Sequence, residues 1–315
     1  MTQSAAGPLS PDQIHFFDQQ GYLVVEDLFS NADLQPVIEA ITQEIDTRAR
    51  DLVDAGELSR TYEEEPFETR LARISAETDK IARAIWNGSL ALPAFFNLIR
   101  NPRLLDVAEQ FCGPELIASS VYRLRPKVPN HNMGPVPWHQ DSGYFEPYCD
   151  KALVLTVWLP LVDATEERGC LWVVPGVQGG AVLPHGNAAG HPYLEIPDSS
   201  LPAVNAVCVP VKKGGALLLS NRTPHASFEN KTDIVRWSMD LRYQSAGLPT
   251  NAVITPLAGE VRHSVEEAIP PACYPPEADF LVRSRARPHE VVQDAETFRR
   301  LRETHLSQPV TARWG

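Results

Sequence analysis

Between about residue 115 and residue 245 the chain breaks into short β-rich runs, and this restricts its fold more than any other feature. The runs are Leu116 to Leu124, Ala152 to Val162, Cys170 to Val174, Val207 to Val211, Ala216 to Ser220 and Ile234 to Tyr243. Gly169, Pro175-Gly176 and Gly214-Gly215 punctuate them. Short strands at regular spacing, separated by turn residues, predict a β-sandwich or barrel. Proline makes up 28 of 315 residues, about 9% against a typical ~5%, which suits ordered loops between strands better than a helical bundle.

Helices come first. Ser10, Pro11 and Gln13 sign a helix start, and Gly21 ends it. A strand is expected over Tyr22 to Phe29, then a helix carrying Leu34, Val37, Ile38, Ile41 and Ile45, with Pro36 close to its start. Residues 56–70 read as a polar surface loop, with Glu63-Glu64-Glu65 solvated. Helix is expected again over Ile81 to Trp86 and Leu90 to Ile99, and in a segment opened by Asn101-Pro102 and closed by Gly113-Pro114. Residues 176–205 form a Gly/Pro/His-rich insertion of the length that serves as a lid. A proline cluster (Pro270, Pro271, Pro275, Pro276) precedes a helical pattern over Ala295 to His305. No linker divides helices from strands. The expectation is therefore one domain over 1–315: a helical part to about 114, a β-core over about 115–290, and a helix and tail over about 291–315.

Lys and Arg total 28 against 40 Asp and Glu, a net charge of −12. That balance speaks against nucleic acid as a partner and against anionic membrane surfaces. The first ten residues carry neither a basic nor an apolar leader region, and no run reaches a membrane span. The five cysteines, Cys112, Cys149, Cys170, Cys208 and Cys273, contain no C-x-x-C pair and read as reduced thiols. A cytoplasmic location is the expectation, and the oligomeric state stays open.

The chemistry begins at Trp138-His139-Gln140-Asp141. On a strand, His139 and Asp141 share a face, so an imidazole and a carboxylate can bind one metal. A third ligand would complete a two-His-one-carboxylate facial triad, which leaves positions open on Fe(II). Alone, such a pair is weak evidence. His225 follows 84 residues after Asp141, with Ser227 and Arg236 two and eleven residues further on. Arg236, Ser238, Asp240 and Arg242 alternate with Val235, Trp237, Met239 and Leu241, and an inward-facing arginine needs an anion. A dicarboxylate supplies one in a bidentate fork.

H-x-D, a distal His, and Ser and Arg at these spacings resemble the phytanoyl-CoA dioxygenase family of Fe(II)- and 2-oxoglutarate-dependent oxygenases. The stretches FFDQQGYLVVEDLFS, LTVWLPLVDATEERGCLWVVPG and RSRARP extend the resemblance along the chain. Members often read P-G-S-H where this chain has Pro175-Gly176-Val177-Gln178. The resemblance implies a double-stranded β-helix, a jelly-roll of cupin-like type, mainly β with supporting helices. It implies His139, Asp141 and His225 as iron ligands and as the catalytic centre, Arg236 on the far carboxylate of 2-oxoglutarate with Ser227 sharing it, and Trp158 lining the cosubstrate pocket. It implies O₂ consumption, release of succinate and CO₂, and hydroxylation of an unactivated C–H in a small molecule. Asp141 favours hydroxylation over halogenation, which needs a small residue there.

Two other readings stand beside it: a non-redox metal isomerase or hydrolase, which needs no Arg236, and a silent binding protein on the same fold. Arg242 and Asp240 are candidate substrate residues for a polar or anionic small molecule. Arg242 falls about 20 Å from Arg236 at strand rise, toward the mouth, and an ion pair between Arg242 and Asp240 or a loop Glu is the competing reading. Arg123 and Arg125 share a face that is either a solvated edge or a carboxylate site. His131, His185, His191, His263 and His289 are expected at the surface or in loops.

Overall fold

The structure is a computed structural model that describes residues 7–87, 90–119, 122–131, 134–145, 147–150, 152–187, 193–248 and 279–306. Cys273, the proline cluster, His191 and His263 lie outside the described residues.

Helix α1 (Pro11–Gln20) starts at a Ser10–Gln13 capping box and ends at Gly21, whose φ of 76° lies in the left-handed region that glycine tolerates. Strand β1 follows but stops at Val25 (Tyr22–Val25), four residues short of the expected end. Helix α2 (Asn31–Asp54) also opens on a capping box, Ser30 with Asp33. That cap settles its start, and Pro36 sits in the second turn, where it forgoes one helical hydrogen bond. Leu34, Val37, Ile38, Ile41, Ile45 and Ala49 form its buried stripe. Helices α3 (Phe67–Ser75), α4 (Lys80–Trp86), α5 (Pro93–Ile99) and α6 (Pro102–Cys112) complete the N-terminal layer. The first residues of α3 therefore fall inside the stretch expected as loop.

The strands build two antiparallel sheets. The larger runs β1, β10 (Ala216–Ser220), β5 (Leu155–Pro160), β12 (Arg236–Ser245), β2 (Leu116–Ser119), β13 (Asp279–Arg283), with β3 (Arg123–Lys127) also on β12. The smaller runs β4 (Val136–His139), β11 (His225–Ser227), β6 (Leu171–Val173), β9 (Val207–Val209). The expected strand over Leu116 to Leu124 is instead two strands along one edge of β12, β3 against its first half and β2 against its second. Within 176–205 the described residues include a two-strand hairpin, β7 (Gly186–Asn187) with β8 (Leu194–Glu195). The last helix, α7, spans Ala295–Leu306.

Alternation in the larger sheet decides what faces what. Leu155, Val157 and Leu159 of β5 and Trp237, Met239, Leu241 and Tyr243 of β12 join the core formed with the helices. Burying each such side chain contributes about 1.5–3 kcal/mol, so this face is fixed against the helical layer. The opposite face then points between the sheets. Trp158, Leu217 and Leu219 meet Leu171, Val173 and Val209 of the smaller sheet there. The polar series on β12 faces the same space, which makes it the lining of a cleft and not an outer surface.

Asn221, fully buried after β10, ties the loops around this cleft. Its side chain accepts from Val154 N–H (3.1 Å) and donates to Ser142 Oγ (2.9 Å) and the Ala152 carbonyl (3.1 Å), while its carbonyl accepts from Ser142 N–H (2.9 Å). Asn221→Ala strands these groups and should cost about 1–3 kcal/mol in urea unfolding. A loss under about 0.5 kcal/mol would show that the loops are held elsewhere.

Candidate active site

His139 ends β4 and His225 begins β11, and the two are paired across the ladder. Between them and the next pair, Val136 with Ser227, the register slips, so Pro137 and Trp138 oppose Ala226 in a bulge. Asp141 does not lie on the strand. Gln140 is extended (φ −110°, ψ 141°), and Asp141 opens a short 3-10 turn ending at Tyr144. The extended Gln140 carries the alternation one step past the strand, so His139 and Asp141 still face the same cleft.

The ligand atoms of His139, Asp141 and His225 lie within 4.8 Å of one another, and all three residues are buried. Each imidazole is oriented by a carbonyl two residues back: His139 Nδ1 donates to Pro137 O (2.8 Å) and His225 Nδ1 to Thr223 O (3.0 Å). A carbonyl can only accept, so the proton sits on Nδ1 and the Nε2 lone pair is left for a metal. Burial, then the neighbouring His225, push the His139 pKa down to about 3, so its ring is neutral at pH 7. Burial pushes the Asp141 carboxyl up, but its charged neighbours, Arg242 foremost, and the Thr156 hydroxyl outweigh it and hold the group below the usual carboxylate range. Two imidazoles that each present Nε2, and one carboxylate, are the donor set that a divalent cation of the Fe(II) type takes.

Arg236 starts β12 on the same cleft, 2% exposed, with its guanidinium 5.3 Å from the Trp158 ring centre. It donates to Ser238 Oγ, while its Nε has no hydrogen-bond partner. Directly across the ladder sits Lys127, which is fully buried. Its ammonium donates to Ser227 Oγ (2.8 Å) and the Phe228 carbonyl. Ser227 thus meets Lys127, a residue absent from the expected site. Its signal was parity: Arg123, Arg125 and Lys127 alternate on β3, but Pro126 makes the run look finished. Proline is tolerated there because β3 pairs with β12 alone.

Arg242 lies against the triad carboxylate, Nη2 at 3.4 Å from Asp141 Oδ1, with the Phe145 ring 5.7 Å away. It therefore borders the triad and not the outer rim, and among the described residues it is ion-paired with Asp141. Arg123 and Arg125 line the cleft with Asp240, which replaces the solvated-edge reading of the two. The cleft measures about 840 Å³, its open end included.

His185 is 6% exposed and is no surface residue: its Nε2 accepts from Gln140 N–H (3.1 Å) and its Nδ1 donates to Leu183 O (2.7 Å). Gln140 itself accepts from Leu183 N–H and donates to Arg222 O, fastening the hairpin segment beside the triad. Tyr193 closes a wall of the cleft by accepting from Trp86 Nε1 (2.7 Å). His131 is half-buried near Asp79, and His289 is exposed. Gln178, in the segment that departs from the family's common pattern, donates to Asp18 O (2.7 Å) on α1, away from the ligands.

Burial and the neighbouring Arg236 hold the Lys127 ammonium well below its usual 10.5. The unfolded chain then binds more protons than the folded one between the lowered value and 10.5, so wild-type stability gains with rising pH in that window. Lys127→Met lacks this gain. Its stability relative to wild type should fall as pH rises from 7 toward 10.5 in parallel urea titrations, and a constant difference would show that Lys127 is not destabilised by its charge.

No helix among the described residues is long and apolar enough to cross a membrane. Phytanoyl-CoA dioxygenase domain-containing protein 1 of Bos taurus is 27% identical over 261 residues, 71% of this chain and 86% of that protein. The structure of EvdO2 from Micromonospora carbonacea var. aurantiaca, complexed with 2-oxoglutarate, superposes with a TM-score of 0.52 at 22% identity, covering 81% of this chain and 97% of the other. The epimerase SnoN, in complex with Fe3+, alpha ketoglutarate and nogalamycin RO, superposes with a TM-score of 0.51 at 20% identity, over 80% and 91%. These likenesses agree with the two-sheet architecture, a jelly-roll backed by helices. The family model for phytanoyl-CoA dioxygenase matches residues 17–238, from α1 to the Arg236 strand, and the chain belongs to that family.

Proposed function

We propose that this protein is an Fe(II)- and 2-oxoglutarate-dependent dioxygenase that hydroxylates an unactivated C–H of a small molecule. The observation that carries the reading is a pairing: a His, carboxylate, His donor set and Arg236 in one cleft, with buried Lys127 beside Arg236 and, among the described residues, no carboxylate hydrogen-bonded to either cation. His139, Asp141 and His225 would hold Fe(II). Arg236, with Lys127 beside it, would take the far carboxylate of 2-oxoglutarate, and Trp158 would form the wall along the cosubstrate. Ser227 keeps the Lys127 ammonium aimed at that end. When bound, iron with 2-oxoglutarate and O₂ supplies oxidative decarboxylation to succinate and CO₂ together with the oxidising power for C–H attack.

The chain's own work is placement. Thr156 and Arg242 hold Asp141 through separate oxygens, Oδ2 and Oδ1, and fix the carboxylate plane. Trp86 and Tyr193 narrow the opening and limit water. Asp240 and Arg242 border the space left for substrate. A non-redox isomerase or hydrolase would need the triad but has no use for the cation pair, and a silent binding protein has no use for two tautomer-fixed ligands. The same centre also serves epimerisation or ring formation, since the outcome follows where the substrate radical goes.

The test is succinate release from 2-oxoglutarate with Fe(II) in air. Wild type should release it, and Arg236→Leu should raise the 2-oxoglutarate concentration for half-maximal release by at least about 100-fold, the scale of a lost charge-assisted fork. Equal 2-oxoglutarate dependence in the two proteins would remove the role of Arg236, and no release from wild type would remove the reading.

A further inference from the structure

We propose that the substrate carries an oxyanion group, a carboxylate or phosphonate, and that Arg125 is the residue that binds it. The proposal rests on the reading of this cleft as an oxygenase site and names the chemistry of the molecule that enters it.

Arg125 stands on β3 opposite Ser238, on the sheet face that lines the cleft. Its side chain is 17% exposed, and its guanidinium lies 4.6 Å over the Trp86 ring. Stacking fixes the plane of the fork before any ligand arrives, which lowers the entropy lost on binding. Among the described residues none accepts a hydrogen bond from this guanidinium. Its charged neighbour Asp240 stays 3.9 Å from Nε, outside hydrogen-bond reach. A guanidinium on the cleft wall that donates to no acceptor among the described residues keeps its fork open for a ligand.

The lining beside it is cationic as well: Arg123, opposite Asp240 across the ladder, and Arg242 face the same cleft. Arg236 does not compete for the oxyanion group, because in this reading it is taken by 2-oxoglutarate. Tyr144, Phe145 and Tyr193 add aromatic walls, so the rest of the molecule can be apolar.

The experiment measures binding without turnover. Wild-type protein with Fe(II) and saturating 2-oxoglutarate, kept under nitrogen, is titrated by calorimetry with matched small molecules. One arm holds aliphatic and aromatic carboxylic acids, the second the corresponding phosphonic acids, and the third the primary amides of the same acids. Saturating 2-oxoglutarate blocks the Arg236 end, so binding reports the substrate end. At least one acid, of either kind, should bind about tenfold or more tighter than its amide, as expected where a site built for an oxyanion loses it. The better of the two acid arms identifies the oxyanion. Arg125→Gln should reduce that preference to less than about threefold, and Arg125→Lys should restore part of it, since charge returns without the fork. Amides binding as well as acids, or no acid binding at all, would overturn the proposal, and so would an unchanged preference in a folded Arg125→Gln. The wild-type comparison of acid with amide decides the matter even if the variant fails to fold. Failure here leaves succinate release in air untouched, and failure of succinate release leaves acid binding measurable, so the two readings fail separately.

Discussion

Lys127 and Arg236 lie side by side across β3 and β12, and no carboxylate of the described residues is within hydrogen-bond reach of either. Burying one cation without a partner is expensive, and burying two that repel each other is more so. The fold nevertheless holds them there, through Ser227, the Phe228 carbonyl and Ser238. The rest of the site is arranged around that cost. In the proposed function a dianionic cosubstrate would relieve it at one end and reach toward the His139–Asp141–His225 triad at the other, so the cation pair would set both where the cosubstrate lies and which way it points.

The interior becomes polar because the helices take the other face. Along β12 the apolar residues Trp237, Met239, Leu241 and Tyr243 are spent on the helical layer. The charged and hydroxyl-bearing residues are thereby turned between the sheets. The smaller sheet contributes His139 and His225 on neighbouring strands, each with its proton tied to a backbone carbonyl. The two histidines on one sheet and Arg236 and Lys127 on the other are thus brought to a gap that sheet packing sets at roughly 10 Å. Helices, strand parity and tautomers therefore act together, and none of them alone makes the centre.

Much of this was legible in the sequence, for physical reasons that can be traced. Strand parity survives local irregularity: His139 and Asp141 share a face although the strand ends between them, because Gln140 stays extended. Spacing and residue type marked Arg236, His225 and the alternation of β12. Lys127 was missed because Pro126 hides the end of an edge strand, and Asn221 and His185 because their work is long-range hydrogen bonding, which leaves no local pattern. Arg242 was expected at the rim because strand rise gives distance along one strand but not what the neighbouring loop brings back. Asp141 arrives on such a loop. The sequence left Arg125 open between a solvated edge and a carboxylate site because Trp86, which stacks on it, comes from α4, about forty residues earlier in the chain.

The central claim is that one centre holds the metal and the 2-oxo acid together. Its most direct test is an anaerobic titration of the protein with Fe(II) and 2-oxoglutarate, followed by the visible charge-transfer absorption that a 2-oxo acid gives when it chelates Fe(II). The account predicts that the band appears in wild type and saturates at one equivalent of iron. It predicts that His225→Ala loses the band. A wild type that shows no band, or a His225→Ala protein whose band matches wild type, would contradict the shared centre.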